Sequence, residues 1–395
     1  MSGRCRRISE SPTVSLTSLL ARLQRQGADV VSLVAGQPDF PTPPHVCRAA
    51  IQAIEEGHTK YTAVDGAHEL KQAIADWIKA ERGAVYSPDE IVVTCGAKHA
   101  VLQSLLAICD PGDEVILPVP YWVSYPEQIK LSDAIVKTVT PLGADLKITA
   151  AQLKQTITDR TKAFILNSPC NPSGAVYASA ELAQMADVIR AAGIYVIADE
   201  IYDKIVFEQA FSSMTAFAEI RDQLIYINGV SKSYAMTGWR IGFLAAPQPV
   251  AVAVAKYQGH STTNAASISQ RAALAAYREE QSFVADMVSA YQERRDYVMG
   301  RLGGMRHVIC ATPQGTFYAF PELAAYYNKN KGVTSSFDLC QYLLENYGVA
   351  LVPGSAFGME GHVRLSFAVA MATLRKALDR VQAGLRSLAQ QDEAT

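Results

Sequence analysis

Lys232 and Arg240 stand eight residues apart in NGVSKSYAMTGWRIG (residues 228–242), directly after the apolar run QLIYI (223–227). Ser, Thr and Gly surround them. Two cations at the end of a buried strand need an anion, supplied by the protein or by something it binds. The amine has a second use. Burial and a neighbouring guanidinium both disfavour an ammonium, so Lys232 is expected to be neutral near pH 7. A neutral amine is a nucleophile that condenses with an aldehyde.

Other strand ends extend the set. After EIVVTC (90–95) comes Gly96-Ala97-Lys98, opening a helix whose first backbone N–H groups suit a phosphate. After KAFILN (162–167), the stretch SPCNPSG (168–174) presents Asn171 between two prolines. After IYVIA (194–198) come Asp199, Glu200 and Tyr202, and Ser231 precedes the lysine. Ligands of open α/β sheets sit beyond the carboxyl ends of strands, where these residues lie. The aldehyde that suits a phosphate cradle, a carboxylate, a phenol, an amide and an amine is pyridoxal 5′-phosphate, whose ring nitrogen needs an acid partner. Each residue alone reads more plainly: Asp199 as a helix cap, NPSG as a turn, Lys232 as a solvated side chain. Their joint order at strand ends decides for chemistry. The seven histidines show no metal-ligand spacing, and neither a P-loop nor a GxGxxG stretch occurs.

The elements that must hold these residues are legible as a pattern. Near-continuous apolar runs at 90–95, 114–119, 162–167, 194–200 and 224–229 alternate with helical segments such as 99–108 and 180–193. That predicts a mostly parallel central sheet flanked by helices, an α/β fold. Helices at 13–26, 282–302 and 373–385, with short strands in GTFYAF, VALVP and HVRLSF, predict a smaller α+β unit built from both chain ends. The expected division is a large domain over 46–285 and a small one from 1–45 and 286–395. The 395 residues are 49% hydrophobic and 19% charged with a formal net charge of −2, which disfavours a nucleic-acid or membrane-surface role. Seven scattered cysteines without a C-x-x-C read as reduced thiols. Apolar runs such as VAVAVA (250–255) are too short to span a membrane, and MSGRCRRISESP lacks the apolar core of a secretory signal. A cytoplasmic enzyme is expected.

With those residues in view, the chain resembles the fold type I, class I pyridoxal-phosphate aminotransferases, nearest the bacterial-type aspartate aminotransferase branch. The resemblance is carried by VAGQPDFPTP (34–43), KYTAVDGAHELKQAI (60–74), GAKHA (96–100), PYWVSYPE (120–127), NSPCNPSGAVY (167–177), ADEIYDKIVFE (198–208), SKSYAMTGWRIGF (231–243) and GHVRLSFA (361–368). It implies that Lys232 holds the coenzyme aldehyde and then acts as general base and acid. Asp199 would pair with the ring nitrogen, Asn171 and Tyr202 with the 3′-oxygen, and Trp122 would stack on the ring. The phosphate would rest on Gly96, Ala97 and Lys98, with Ser231 and Arg240 nearby and Tyr61 reaching in from a second subunit. Arg364, helped by the Gly36 backbone, would grip the substrate α-carboxylate as a bidentate fork. A homodimer with shared sites is implied, with a small domain that closes over substrate.

The resemblance also implies a substrate class. Lys98, as an ammonium buried near the pocket mouth, and Thr13 would face the substrate side chain, which favours aspartate and glutamate with oxaloacetate and 2-oxoglutarate. Some members of the branch also use prephenate. Where the family often reads K-P-S-x-T, this chain has Ser9-Glu10-Ser11-Pro12-Thr13, a departure that bears on that activity. Same-fold alternatives are an aminotransferase for other amino acids or a C–S lyase. Lys98 and YWVSYPE favour amino transfer. A non-enzymatic coenzyme-binding regulator is disfavoured, because only about thirty residues precede VAGQPDF.

Overall fold

The computed structural model describes residues 1–9, 20, 22–23 and 25–389. The strands among them are β1 (Val31–Ser32), β2 (Ile91–Thr94), β3 (Glu114–Pro118), β4 (Ile135–Val139), β5 (Thr161–Asn167), β6 (Tyr195–Asp199), β7 (Leu224–Gly229), β8 (Gly242–Ala245), β9 (Tyr318–Ala319), β10 (Val349–Ala350), β11 (Val352–Pro353) and β12 (Val363–Ser366). Seven form one sheet in the order β2-β8-β7-β6-β5-β3-β4. β8 runs antiparallel to both neighbours, and the other pairs are parallel. Reversing twice through β8 leaves β2 pointing the same way as β7. The carboxyl ends of β2, β5, β6 and β7 therefore open on one side.

Strand pleating explains why the sheet needs cover on both faces. Successive side chains point to opposite sides. Val92, Ile165, Ile197 and Ile227 join one apolar cluster, while Ile91, Val93, Phe164, Leu166, Val196 and Tyr226 join another. Both clusters are completed by helices, among them Ala97–Ile108 on the first side and His68–Arg82 on the second. All five expected sheet strands form. The pattern reading left out β4, an edge strand with no buried residue, and β8, a four-residue antiparallel insertion.

Strands nearer the two chain ends form two smaller sheets. β11-β12-β9 form an antiparallel sheet, and β1 pairs in parallel with β10. The helices Ser282–Gly303 and Met371–Ala389 appear where periodicity placed them. The expected helix at 13–26 falls largely outside the described residues.

Candidate active site

A cleft of about 520 Å³ lies beyond the carboxyl ends of β2, β5, β6 and β7. It gathers Lys232 and Ser231 after β7, Asp199 and Tyr202 at and after β6, and Asn171 after β5. Ala97 and Lys98 enter from the helix after β2, with Trp122, Arg240, Gly36 and Arg364 completing the wall. Residues from widely separated strand ends thus meet in one place.

Half-buried Lys232 has its amine pushed down to about 7, chiefly by burial, then by the Arg364 and Arg240 charges, against an opposing pull from Asp199. Its Nζ donates to the Gly36 carbonyl and lies 5.6 Å from the Tyr202 ring centre. Asp199 is 4% exposed. Burial raises its pKa, while a hydrogen bond from the Tyr125 hydroxyl (2.7 Å) and one from the Ile201 amide (3.2 Å) favour the carboxylate. Adjacent Glu200 faces elsewhere, accepting from the Met214 amide at 2.9 Å.

The turn after β2 is shaped to receive something. Gly96 sits at φ +85°, open to glycine and costly for other residues. A Cβ there would lie 2.4 Å from Arg240 Nη2. Beneath the turn, a Cβ on Gly242 would come within 2.3 Å of the Ala97 nitrogen. Arg240 reaches over the turn from a left-handed backbone (φ 58°), donating to the Thr237 and Cys95 carbonyls at 3.1 Å each. Among the described residues no carboxylate pairs with Arg240, Lys98 or Arg364. Lys98 is more exposed than the sequence suggested. Its Nζ lies 4.9 Å from the Trp122 ring centre, and burial, then Arg240, lowers its pKa.

Arg364 is 3% exposed. Its Nη1 donates to Asn171 Oδ1 at 3.0 Å and its Nη2 to the Val34 carbonyl at 2.8 Å, while Nε has no partner. A buried guanidinium held only by neutral acceptors is set for an anion. Burial accordingly lowers its pKa.

Two expected residues stand apart. Tyr61 is 88% exposed and lies outside this cleft. Thr13 lies outside the described residues. Three contributors were missed in the sequence. Tyr125 opens a helix three residues after Trp122 and could have been found as an aromatic pair in PYWVSY; the rings meet edge to face at 5.2 Å. Asn167 donates to the Asp199 carbonyl and accepts from the Asn171 amide, both at 2.9 Å, so it joins two strand ends. Tyr318, read only as part of a strand, lines the cleft from β9.

Comparison with known proteins agrees with this geometry. The family model described as aminotransferase class I and II matches residues 28–381. The aspartate aminotransferase of Geobacillus stearothermophilus is 42% identical over 387 residues, covering 96% of this chain and 98% of that one. The aspartate/prephenate aminotransferase of Nitrosomonas europaea is 40% identical over 390 residues, again 96% and 98%. The crystal structure of the Rhizobium meliloti aspartate aminotransferase superposes with a TM-score of 0.94 at 37% identity, covering 98% of each chain.

Proposed function

The chain belongs to the class I and II aminotransferases, and from that premise we propose that it exchanges the amino group between aspartate or glutamate and a 2-oxo acid by a ping-pong route. Pyridoxal 5′-phosphate is its coenzyme, and the residues present suit it. The glycine turn has room where a Cβ would collide, the amine is poised to lose its proton, and a buried carboxylate stands ready for a ring nitrogen. Bound through its aldehyde, the coenzyme supplies an electron sink that makes a substrate Cα–H acidic.

The chain's own residues do the rest. Gly96, Ala97, Lys98, Ser231 and Arg240 hold the phosphate, so Arg240 meets its anion there. Asp199 keeps the ring nitrogen protonated, Tyr202 and Asn171 hold the 3′-oxygen, and Trp122 covers the ring. Arg364 and Gly36 fix the substrate α-carboxylate. Lys232 Nζ, about half neutral at pH 7, would take the Cα proton and return it to the carbon on the far side of the amino nitrogen, a 1,3-shift. The single observation that carries this reading is the convergence of Lys232, Asp199, Arg240 and Arg364 in one cleft at the strand ends.

Closure belongs to the same proposal. The small unit, 1–45 and 286–395, would move over the large one, 46–285, bringing Arg364 and Gly36 down on substrate and excluding water. The helix Ser282–Gly303 runs unbroken through that boundary. We also read the enzyme as a cytoplasmic homodimer with Tyr61 completing the partner's phosphate site. Supporting this, Tyr61 is almost fully exposed, Ile51 and Ile54 are 56% and 54% exposed on one helix, and the seven cysteines are free. Among the described residues no helix is long and apolar enough to cross a membrane. Sedimentation should give twice the 42.8 kDa chain mass, and a stable single-chain species at micromolar concentration would contradict shared sites.

Substrate choice is tested by a donor and acceptor panel on purified protein. Aspartate with 2-oxoglutarate should yield oxaloacetate and glutamate. No oxaloacetate from aspartate, with release of a thiol, pyruvate and ammonia from a cysteine-type donor in the panel, would assign C–S lyase chemistry instead. Prephenate belongs in the panel because relatives carry that name. Lys98→Ala should raise KM about tenfold for aspartate and less than about twofold for an aromatic donor, since only the former has a distal carboxylate. Identical rises for both donors would remove Lys98 from the specificity pocket.

A further inference from the structure

Tyr318 carries no role so far, yet it sits between two residues that do. It is fully buried on β9, beside the Arg364 strand β12. Its hydroxyl lies 3.0 Å from the Tyr202 hydroxyl, and its ring centre is 4.4 Å from the Arg364 guanidinium carbon. A Cβ on Gly36 would stand 3.1 Å from the same hydroxyl, so the glycine leaves the phenol its room. Two neutral phenols that close form one hydrogen bond, in which the better acid of the two donates and the other keeps its own proton for a further partner. A cation stacked on a ring favours the phenolate. Burial raises the pKa of both phenols, and Arg364 opposes that rise more strongly at Tyr318 than at Tyr202. Arg364 stacks on the Tyr318 ring, which makes Tyr318 the better donor of the pair.

From this geometry we propose that Tyr318 is a positioning residue: it donates to Tyr202, leaving the Tyr202 proton to point into the cleft, and its ring holds Arg364 in place for a carboxylate. The inference rests on the reading of Tyr202 as the partner of the coenzyme 3′-oxygen. It joins the carboxylate grip to the coenzyme by one shared side chain. A carboxylate arriving on Arg364 offsets the charge that favours Tyr318 as donor, so the Tyr202 hydrogen bond weakens as substrate binds.

The test is a visible-absorbance pH titration of the coenzyme-loaded enzyme. A hydrogen bond into the 3′-oxygen favours the chromophore that has given up its proton, so weakening that bond moves the midpoint upward. Tyr318→Phe keeps the ring and loses the hydroxyl. It should raise the midpoint by about 0.5 to 1 pH unit and change KM for amino donors by less than about threefold. Tyr318→Leu also removes the ring and should raise KM about tenfold for acidic and aromatic donors alike. In a Tyr202→Phe background, Tyr318→Phe should leave the midpoint where it is. An unchanged midpoint in the single Phe variant overturns the proposal, as does an equal shift in the Tyr202→Phe background. A wild-type protein that stays colourless with coenzyme overturns the aminotransferase reading instead, so the two failures differ. The Phe variant changes one atom and remains informative if the Leu variant does not fold.

Discussion

Lys232→Ala is expected to lower kcat by at least about 10⁴-fold and to leave the coenzyme-loaded protein without the visible band of a lysine-bound chromophore. No neighbour can substitute. The other amine at the cleft, Lys98, has its ammonium against the Trp122 ring rather than beside Gly36 and Asp199. The pH dependence follows from the same residue. With the amine pushed down to about 7, the neutral fraction rises about tenfold per unit below that pH and levels off above it. Coenzyme uptake by the free wild-type protein should follow that curve. Turnover in the alanine variant above about one part in a thousand, or a visible band that borohydride fixes elsewhere, would remove Lys232 from the chemistry.

The second large effect is expected at Arg364. Its side chain is buried, stacked on Tyr318 and Phe357, and held by two neutral acceptors, with no acid partner among the described residues. Arg364→Ala removes a desolvated bidentate contact of about 2–5 kcal/mol, so kcat/KM should fall by roughly 30- to 5,000-fold. The loss should be similar for every 2-amino acid, because each carries the same α-carboxylate. A second reading accompanies it. Arg364 is the largest charge pressing on Lys232, so its removal should move the coenzyme-uptake midpoint above 7. A variant with unchanged kcat/KM, or one affected for aspartate alone, would mean that the α-carboxylate binds elsewhere.

Much of this site was legible before any coordinates. Lys232, Asp199, Asn171 and the Gly96 turn follow strands whose unbroken apolar runs mark them as buried, and buried parallel strands deliver their carboxyl ends to one side. The strands that went unread lack that mark. β4 has no buried residue, and β8 is too short and reversed for a parallel reading. Tyr125 and Tyr318 escaped for another reason. Each is an aromatic in an apolar stretch, where packing is the ordinary explanation, and only the fold shows their hydroxyls aimed at Asp199 and Tyr202. Arg364 was found through GHVRLS, but its unpaired state in the interior is a property of the packed chain. Lys98 shows the opposite limit, since a residue type says little about how deeply one side of a cleft is covered.

The cleft brings Lys98, Lys232, Arg240 and Arg364 together around one carboxylate, Asp199. Such crowding of like charge works against the empty fold, which the hydrophobic layers must outweigh. Lys232 reports part of this: from about pH 7 toward the ordinary lysine range the unfolded chain holds a proton that the native chain has surrendered, so native stability grows with pH across that interval. A dianionic coenzyme relieves the crowding and binds only the native form, which adds stability by mass action. The cofactor is thereby a keystone as well as a reagent. A cell short of the vitamin would hold sturdy filled molecules beside empty ones more open to proteolysis, and nutrient supply would govern how much enzyme persists as well as how fast it works.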